Sequence, residues 1–417
     1  MSHIELDLKA RSDFPEEIIL VYGSLRTGGI ETLIVRMANY LVSTGAKVFV
    51  CCTAGGALEA LLDNRVDVIS YTDPRDLVIS IKTHHNQKIS VSTTLIMSFD
   101  PISAARALMV EILLSKSRQV THVSGVFHPR AYFMRGERRD RTFLYYLLAC
   151  AIGKCWLFFM NEECRKSHSI KWGMDLSKSP LLALPINLLD AIWQPSDKKN
   201  LRIVSVGRLV DFKAYNLGAA KIIKTCHERG LEVTWDIFGD GSLYNSIKSE
   251  IEALGVARHV RLMGTLDYND FSKKVSGYDL FIGIGTAALE AAMVGVPTIC
   301  ATEDADSCCY GYLYELPFGN VGELQADKPT VEITDLIESY SLLSQAERLV
   351  LSVNSRSVAK KYGMPQFVNS IVDITTIDYA PPPKIVKRIV AELYLFTTES
   401  SIAKFIRDFL TKKKLPI

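Results

Sequence analysis

Between Asp279 and Ala301 the chain runs as apolar strand, glycine-rich loop, alanine-rich helix, stop signal and second apolar strand, the succession of a strand-loop-helix unit in an α/β sheet. The strand Asp279 to Ile282 enters the loop Gly283-Ile284-Gly285, and the helix follows at once with Thr286 in the N-cap position and Glu290 in its first turn. Gly283 and Gly285 permit close backbone approach to a ligand, and their N–H groups suit an anion or a sugar hydroxyl. Gly295 and Pro297 stop the helix before the strand Thr298 to Ala301. Two strands joined by one helix this tightly imply a right-handed crossover in a parallel sheet.

Three further pieces precede this unit. Leu201 to Val206 reads as a strand leading into Gly207-Arg208-Leu209-Val210-Asp211-Phe212-Lys213. Val233 to Phe238 leads into Gly239-Asp240-Gly241, and Val260 to Gly264 is a third strand. Towards the N-terminus, Glu17 to Tyr22 is a strand followed by the turn Thr27-Gly28-Gly29-Ile30-Glu31 and a helix ending near Gly45. Val123 to Phe127 is another strand, with His128 at its end. This alternation predicts an α/β protein with parallel sheets. The chain length of 417 residues, with 48% hydrophobic and 23% charged, suits two domains. The predicted division is 1–195, 196–376 and a tail 377–417, with the polar run Gln194 to Asn200 as linker.

The four motifs after residue 200, in this order and spacing, resemble the C-terminal half of the retaining glycosyltransferases of the GT-B fold that build bacterial polysaccharide and lipopolysaccharide (glycosyltransferase family 4-like). The resemblance extends more faintly from about residue 20 to 370 through the Gly28-Gly29 turn, His128 and the proline-asparagine turn Leu184-Pro185-Ile186-Asn187. It implies two Rossmann-like domains facing a central cleft, the last helix of the second, Met364 to Ile374, crossing back to the first. It implies a nucleotide-sugar donor, UDP- or GDP-linked, and a glycan or polyprenyl-diphosphate-linked acceptor. In the family's pattern Arg208 and Lys213 meet the diphosphate, Glu290 accepts ribose hydroxyl hydrogen bonds, and His128 contacts the sugar. Gly28, Gly29, Gly207, Gly239, Gly241, Gly283, Gly285 and Thr286 would line the donor. The pattern is broken at two points. Ile282 stands where a second glutamate reads the sugar, and Ala214 replaces the glycine after Lys213.

The residues suit the chemistry. Breaking the bond from the anomeric carbon to phosphate builds charge on a leaving diphosphate, which a guanidinium fork and an ammonium five residues on can stabilise. Such side chains make a metal unnecessary. His122, six residues before His128, is an alternative sugar contact. Arg130, Arg135, Arg138, Arg139 and Arg141 lie among Phe127, Tyr132, Phe133 and Phe143, a pattern suited either to an anionic lipid acceptor or to a solvated loop. The loss at position 282 leaves open a non-catalytic subunit acting through a partner. A GT-B-like sugar-nucleotide epimerase is the other alternative; it would need several acidic and histidine groups lining the cleft.

The net charge of +2 gives no case for nucleic acid as partner. Nine scattered cysteines without metal spacing read as buried thiols of a reducing compartment, and Met1 to Phe14 lacks a signal-peptide apolar core. The 19 apolar residues Thr142 to Met160 are split by Gly153 and Lys154 into a buried helix and a buried strand rather than a membrane span. In the tail, Ile385, Val386, Ile389, Val390 and Leu393 form one helical stripe and Ile402, Phe405, Ile406, Phe409 and Leu410 a second, beside eight basic and three acidic residues. Two readings of 384–417 follow: helices docked on the protein body, or contact with an anionic membrane surface. The expected location is cytoplasmic, peripheral on the inner face of the plasma membrane.

Overall fold

The structure, a computed structural model, describes residues 11, 13–26, 29–72, 74–85, 91–129, 131–132, 139–190, 192–196, 200–325 and 328–399. The chain forms two compact units, 1–184 with 365–417, and 185–364.

In the first unit the strands are β1 (Glu17–Val21), β2 (Lys47–Cys52), β3 (Asp67–Ser70), β4 (Thr93–Ser98), β5 (Gln119–Val126) and β6 (Leu157–Phe159). Between them run α1 (Gly29–Ser43), α2 (Pro74–His85), α3 (Pro101–Leu114), α4 (Arg139–Ile152) and α5 (Glu162–Trp172). All six strands are parallel, in the order β3-β2-β1-β4-β5-β6. Helices on both faces bury β1 along its whole length, which is why it is apolar without alternation. The apolar stretch 142–160 divides as its glycine predicts: α4 ends at Ile152 and β6 begins at Leu157. β5 starts four residues before the predicted strand, because its ladder with β4 begins at Gln119 opposite Thr93. No helix among the described residues is long and apolar enough to cross a membrane.

The second unit holds β7 (Leu201–Val206), β8 (Val233–Phe238), β9 (Val260–Leu262), β10 (Leu280–Gly283), β11 (Thr298–Ala301), β12 (Cys308–Tyr312) and β13 (Val331–Glu332). Its helices are α6 (Tyr215–Glu228), α7 (Tyr244–Ala253), α8 (Phe271–Val275), α9 (Thr286–Val294), α10 (Ile333–Ser341) and α11 (Gln345–Lys360). The sheet order is β13-β12-β11-β10-β7-β8-β9, antiparallel only at the β12 and β13 edge. The chain winds outward from β7 through β8 and β9, then returns to lay β10 on the other side of β7. Ligands of open α/β sheets bind at the carboxyl ends of strands where the winding reverses, here β7 and β10. A buried relay fixes this pair: Trp235 Nε1 donates to Ser205 Oγ at 2.9 Å, and Ser205 Oγ donates to the Ile282 carbonyl at 2.6 Å. β10 begins one residue later than predicted because the Asp279 carboxylate accepts the Arg202 N–H and anchors the strand start. Trp193 packs in this unit's core beside Val204 and Phe281, so the compact units divide some ten residues before the predicted linker.

From Pro365 onward the chain belongs again to the first unit. In α12 (Met364–Thr375), Val368, Ile371 and Val372 line one apolar crevice with Ile18, Leu41 and Met97. The tail helix α13 (Lys384–Glu399) docks on α3 and α4, burying Ala391, Tyr394 and Leu395. Its buried face is not the predicted stripe: Ile385, Val386, Ile389 and Leu393 stay exposed, and only Val390 turns inward. The helix is held instead by Lys387, 2% exposed, which pairs with Glu111 of α3 and lies over the Trp156 ring. The second predicted stripe, 402–410, lies outside the described residues, as do Arg130, Arg135 and Arg138.

Removing one member of a buried ion pair leaves the other charge without compensation. Lys387→Ala should therefore lower unfolding free energy by about 3–5 kcal/mol. The double variant Glu111→Gln/Lys387→Met should recover most of that loss in the same denaturant titration.

Candidate functional site

The turn after β7 is clamped by the turn after β8. Gly207 N–H donates to the Phe238 carbonyl and Leu209 N–H to the Asp240 carbonyl, each at 2.9 Å. The two glycines after β8 serve this clamp. A Cβ on Gly239 would stand 1.9 Å from the Gly207 carbonyl oxygen, and one on Gly241 2.3 Å from the Leu209 oxygen. Both positions are thus explained by the backbone they pack against, and they act on the site by fixing Arg208.

From this turn the chain makes one short 3-10 turn, Asp211–Lys213, which folds Lys213 back over Gly207. Lys213 Nζ lies 2.6 Å from where a Gly207 Cβ would be, so a side chain there would displace the ammonium. Arg208 is exposed beside it. Among the described residues neither cation has an ion-pair partner. Burial first, then repulsion from Arg208, pulls the Lys213 ammonium down to about 8. Two uncompensated cations at a sheet's switch point make a site for an anion with more than one charge.

The loop after β10 leaves the sheet at the strand next to β7. Gly285, with φ 72° and ψ −152°, occupies the N-cap, and Thr286 is the first helical residue. The predicted cap is thus displaced by one position, because this backbone conformation suits glycine and no side chain caps the helix. Gly285 N–H is also not available to an anion, since it donates to the Val321 carbonyl at 2.8 Å. The N–H groups of Thr286 and Ala287, in the first turn of α9, have no intrahelical acceptor. Gly283 closes β10, where a Cβ would stand 2.7 Å from the Phe281 ring.

Glu290 falls in the second turn of α9, not the first, and is 4% exposed. The field of a helix N-terminus fades beyond the first turn, so helix-end stabilisation does not account for it. Tyr268, which the sequence analysis did not single out, donates its hydroxyl to Glu290 Oε1 at 3.2 Å. Asn187 Nδ2 in turn approaches that hydroxyl at 3.4 Å. Asn187 comes from a loop, Tyr268 from a short 3-10 turn and Glu290 from α9, and no sequence spacing announces Tyr268 as the link between the other two. Ile282 is fully buried within β10, paired with Ile299 of β11.

The other predicted residues belong to the first unit. Gly29 opens α1 with open space about its Cα, while Gly28 lies outside the described residues. His128 is exposed just beyond β5. His122 lies fully inside, Nε2 at 2.9 Å from Ser98 Oγ, and burial pulls it down to about 3; it is a neutral core residue. No group of three or more His, Cys, Asp and Glu side chains placed to hold a metal occurs among the described residues.

Residues 192–305 match the family described as glycosyl transferases group 1. A curated relative, the GtfA subunit of a UDP-N-acetylglucosamine–peptide N-acetylglucosaminyltransferase from Streptococcus gordonii, is 26% identical over 198 residues. That match spans 44% of this chain and only 37% of the relative. Among solved structures, a glycosyltransferase from Rickettsia africae superposes with a TM-score of 0.62 at 13% identity, covering 87% of this chain and 99% of its own. A Staphylococcus aureus TarM mutant in complex with UDP and α-GlcNAc-glycerol gives 0.58 at 9%, covering 87% and 100%. The lipopolysaccharide outer core galactosyltransferase WaaB gives 0.56 at 15%, covering 86% and 99%.

The depressed Lys213 predicts a proton linkage. In the empty site at pH 8 about half of Lys213 is neutral, and an anion beside it favours the ammonium. Binding of a nucleoside diphosphate at that pH should take up as much as about half a proton more in the native protein than in Lys213→Met. Calorimetry in buffers of different ionisation enthalpy measures the difference. Equal uptake by both proteins would remove Lys213 from the anion site.

Proposed function

The chain carries the GT-B fold, and on that premise we propose that it is a retaining glycosyltransferase. In this reading it moves a sugar from a UDP- or GDP-linked donor to a cell-surface polysaccharide or lipid-linked glycan. The observation that carries the reading is the pair Arg208 and Lys213, set together without counter-charge among the described residues at the carboxyl end of β7. A leaving diphosphate gains charge as the glycosidic bond to phosphate breaks, and preorganised cations stabilise that charge more than they stabilise the ground state. The first-turn N–H groups of α9 add neutral donors to the same anion. Glu290, oriented by Tyr268, receives the ribose hydroxyls. Support for the donor class comes from TarM, solved with UDP, and support for a glycan acceptor from WaaB, a lipopolysaccharide core enzyme.

A membrane-attached acceptor would bring the enzyme to an anionic surface. The exposed stripe Ile385, Ile389, Leu393 and Phe396 on α13, beside Lys384 and Arg388, suits that surface. Co-sedimentation with anionic vesicles should then fall as salt screens the basic residues. The burial of Ile282 favours one rival, a non-catalytic subunit that binds nucleotide and acts through a partner.

Two measurements test the proposal. A thermal-shift screen of nucleotide sugars should find one that stabilises the protein by roughly 2.7 kcal/mol at ~100 times its dissociation constant. Arg208→Ala and Lys213→Ala should each cost about 10²-fold or more in turnover while the fold survives. A folded double variant with normal turnover refutes the assignment, and a chain that binds donor without any turnover is the non-catalytic subunit. Glu290→Gln should weaken nucleoside diphosphate binding without lowering the melting temperature.

A further inference from the structure

Four segments of the second unit are sewn together at the carboxyl edge of its sheet. Gly285 N–H donates to Val321 O at 2.8 Å, Glu303 N–H to Gly322 O at 2.8 Å, and Asp304 N–H to Phe212 O at 3.0 Å. Gly322 is squeezed between Ile284 and Ala301: a Cβ there would stand 2.4 Å from Ile284 Cγ2 and 2.8 Å from the Ala301 oxygen. Glu303, two residues beyond β11, is therefore held between the loop that carries Lys213 and the loop that opens α9. β11 is the immediate neighbour of β10, with Ile282 opposite Ile299 and Gly283 opposite Cys300.

The Glu303 side chain is half-buried, and among the described residues its carboxylate has neither a hydrogen bond nor an ion pair. Burial, reinforced by the Glu323 and Asp304 carboxylates, pushes it up to about 7. A carboxylate so placed costs stability and forms no hydrogen bond or ion pair among the described residues in return. Position 282, where the resemblance expects a sugar-reading carboxylate, is taken by a core isoleucine. The site thus lacks a hydroxyl acceptor on β10 and has an unused one at the end of the adjacent strand.

We infer that the Glu303 carboxylate accepts hydrogen bonds from hydroxyl groups of the transferred sugar, so that donor-sugar selectivity is read from the end of β11 rather than β10. This rests on the donor site proposed above. A sugar hydroxyl gives the carboxylate the donor it lacks in the empty protein, and an analogue without that hydroxyl leaves it unpaired. The interaction touches the sugar only, so the nucleotide is held by other residues and its affinity is separable.

The test uses the full chain, Glu303→Ala and Glu303→Gln. UDP and GDP are the nucleotide probes, and UDP-glucose, UDP-galactose, UDP-N-acetylglucosamine and GDP-mannose with their deoxy analogues are the donor probes. Affinity for the nucleoside diphosphate should stay within about twofold, while kcat/KM for the preferred donor falls about 10²-fold in Glu303→Ala. The fall should vanish for one deoxy analogue, the one lacking the hydroxyl that Glu303 reads. The melting temperature should hold or rise. If turnover is absent from the native chain, the same pattern is read as the gain in affinity of intact donor over nucleoside diphosphate, which Glu303→Ala should abolish. Native discrimination among the donors in both folded variants overturns the inference. Loss of nucleoside diphosphate binding in Glu303→Ala overturns it too, because the residue would then serve the nucleotide. Normal nucleotide binding by the Arg208→Ala/Lys213→Ala double variant would instead overturn the site itself.

Discussion

The site depends on β7 and β10 lying side by side, and a single buried hydroxyl ties them. Ser205 Oγ receives the Trp235 indole N–H from β8 and gives its own proton to the Ile282 carbonyl of β10. Three strands far apart in sequence are thereby bridged at one level of the sheet. An apolar residue at 205 would leave an indole N–H and a carbonyl unpaired in the core, each costing about 1–3 kcal/mol. Above that level the chain leaves β7 and β10 in opposite winding directions, and the gap between the departing loops is where open α/β sheets bind their ligands.

The parts of the fold that were legible in the sequence are those whose cause is local. β7, β8 and β11 run over the residues expected because each is a short apolar run ended by glycine or a polar turn, and each is buried on both faces. Burial of Lys387 was not legible. A stripe analysis assigns lysine to solvent, and only the distant Glu111 on α3 makes the inward orientation stable. The N-cap of α9 was misplaced for a different reason. Thr286 is a good capping residue in general, but the Val321 carbonyl draws the Gly285 N–H and sets the backbone so that glycine takes the position.

The candidate site divides in the same way. Arg208, Lys213 and Glu290 stand at fixed distances from glycines and could be read from the chain. Tyr268 and Glu303 could not, because what gives each a role is a partner or a neighbour from another loop: Glu290 for the first, Phe212 and Gly322 for the second. Gly239 and Gly241 were legible as residues but not as causes. Their spacing suggested a ligand, whereas the Gly207 and Leu209 carbonyls pressed against them account for both.

The charges of the site are arranged to be incomplete without a ligand. Arg208 and Lys213 repel each other across one turn, and Lys213 answers by holding its proton weakly. Glu303 faces Glu323 and Asp304 on the other side and holds its proton too tightly for a carboxylate. Each group is displaced towards its neutral form, the direction that lowers the cost of an empty, partly dry site. In the proposed reading a nucleotide sugar would reverse both conditions at once. The diphosphate would recharge the lysine and the sugar hydroxyls would stabilise the ionised glutamate, so each half of the ligand would meet a group that the empty site holds towards its neutral form. A ligand with only one half, a free nucleotide or a free sugar, would meet only one of the two, and in this reading the site favours the intact donor over the fragments into which transfer divides it.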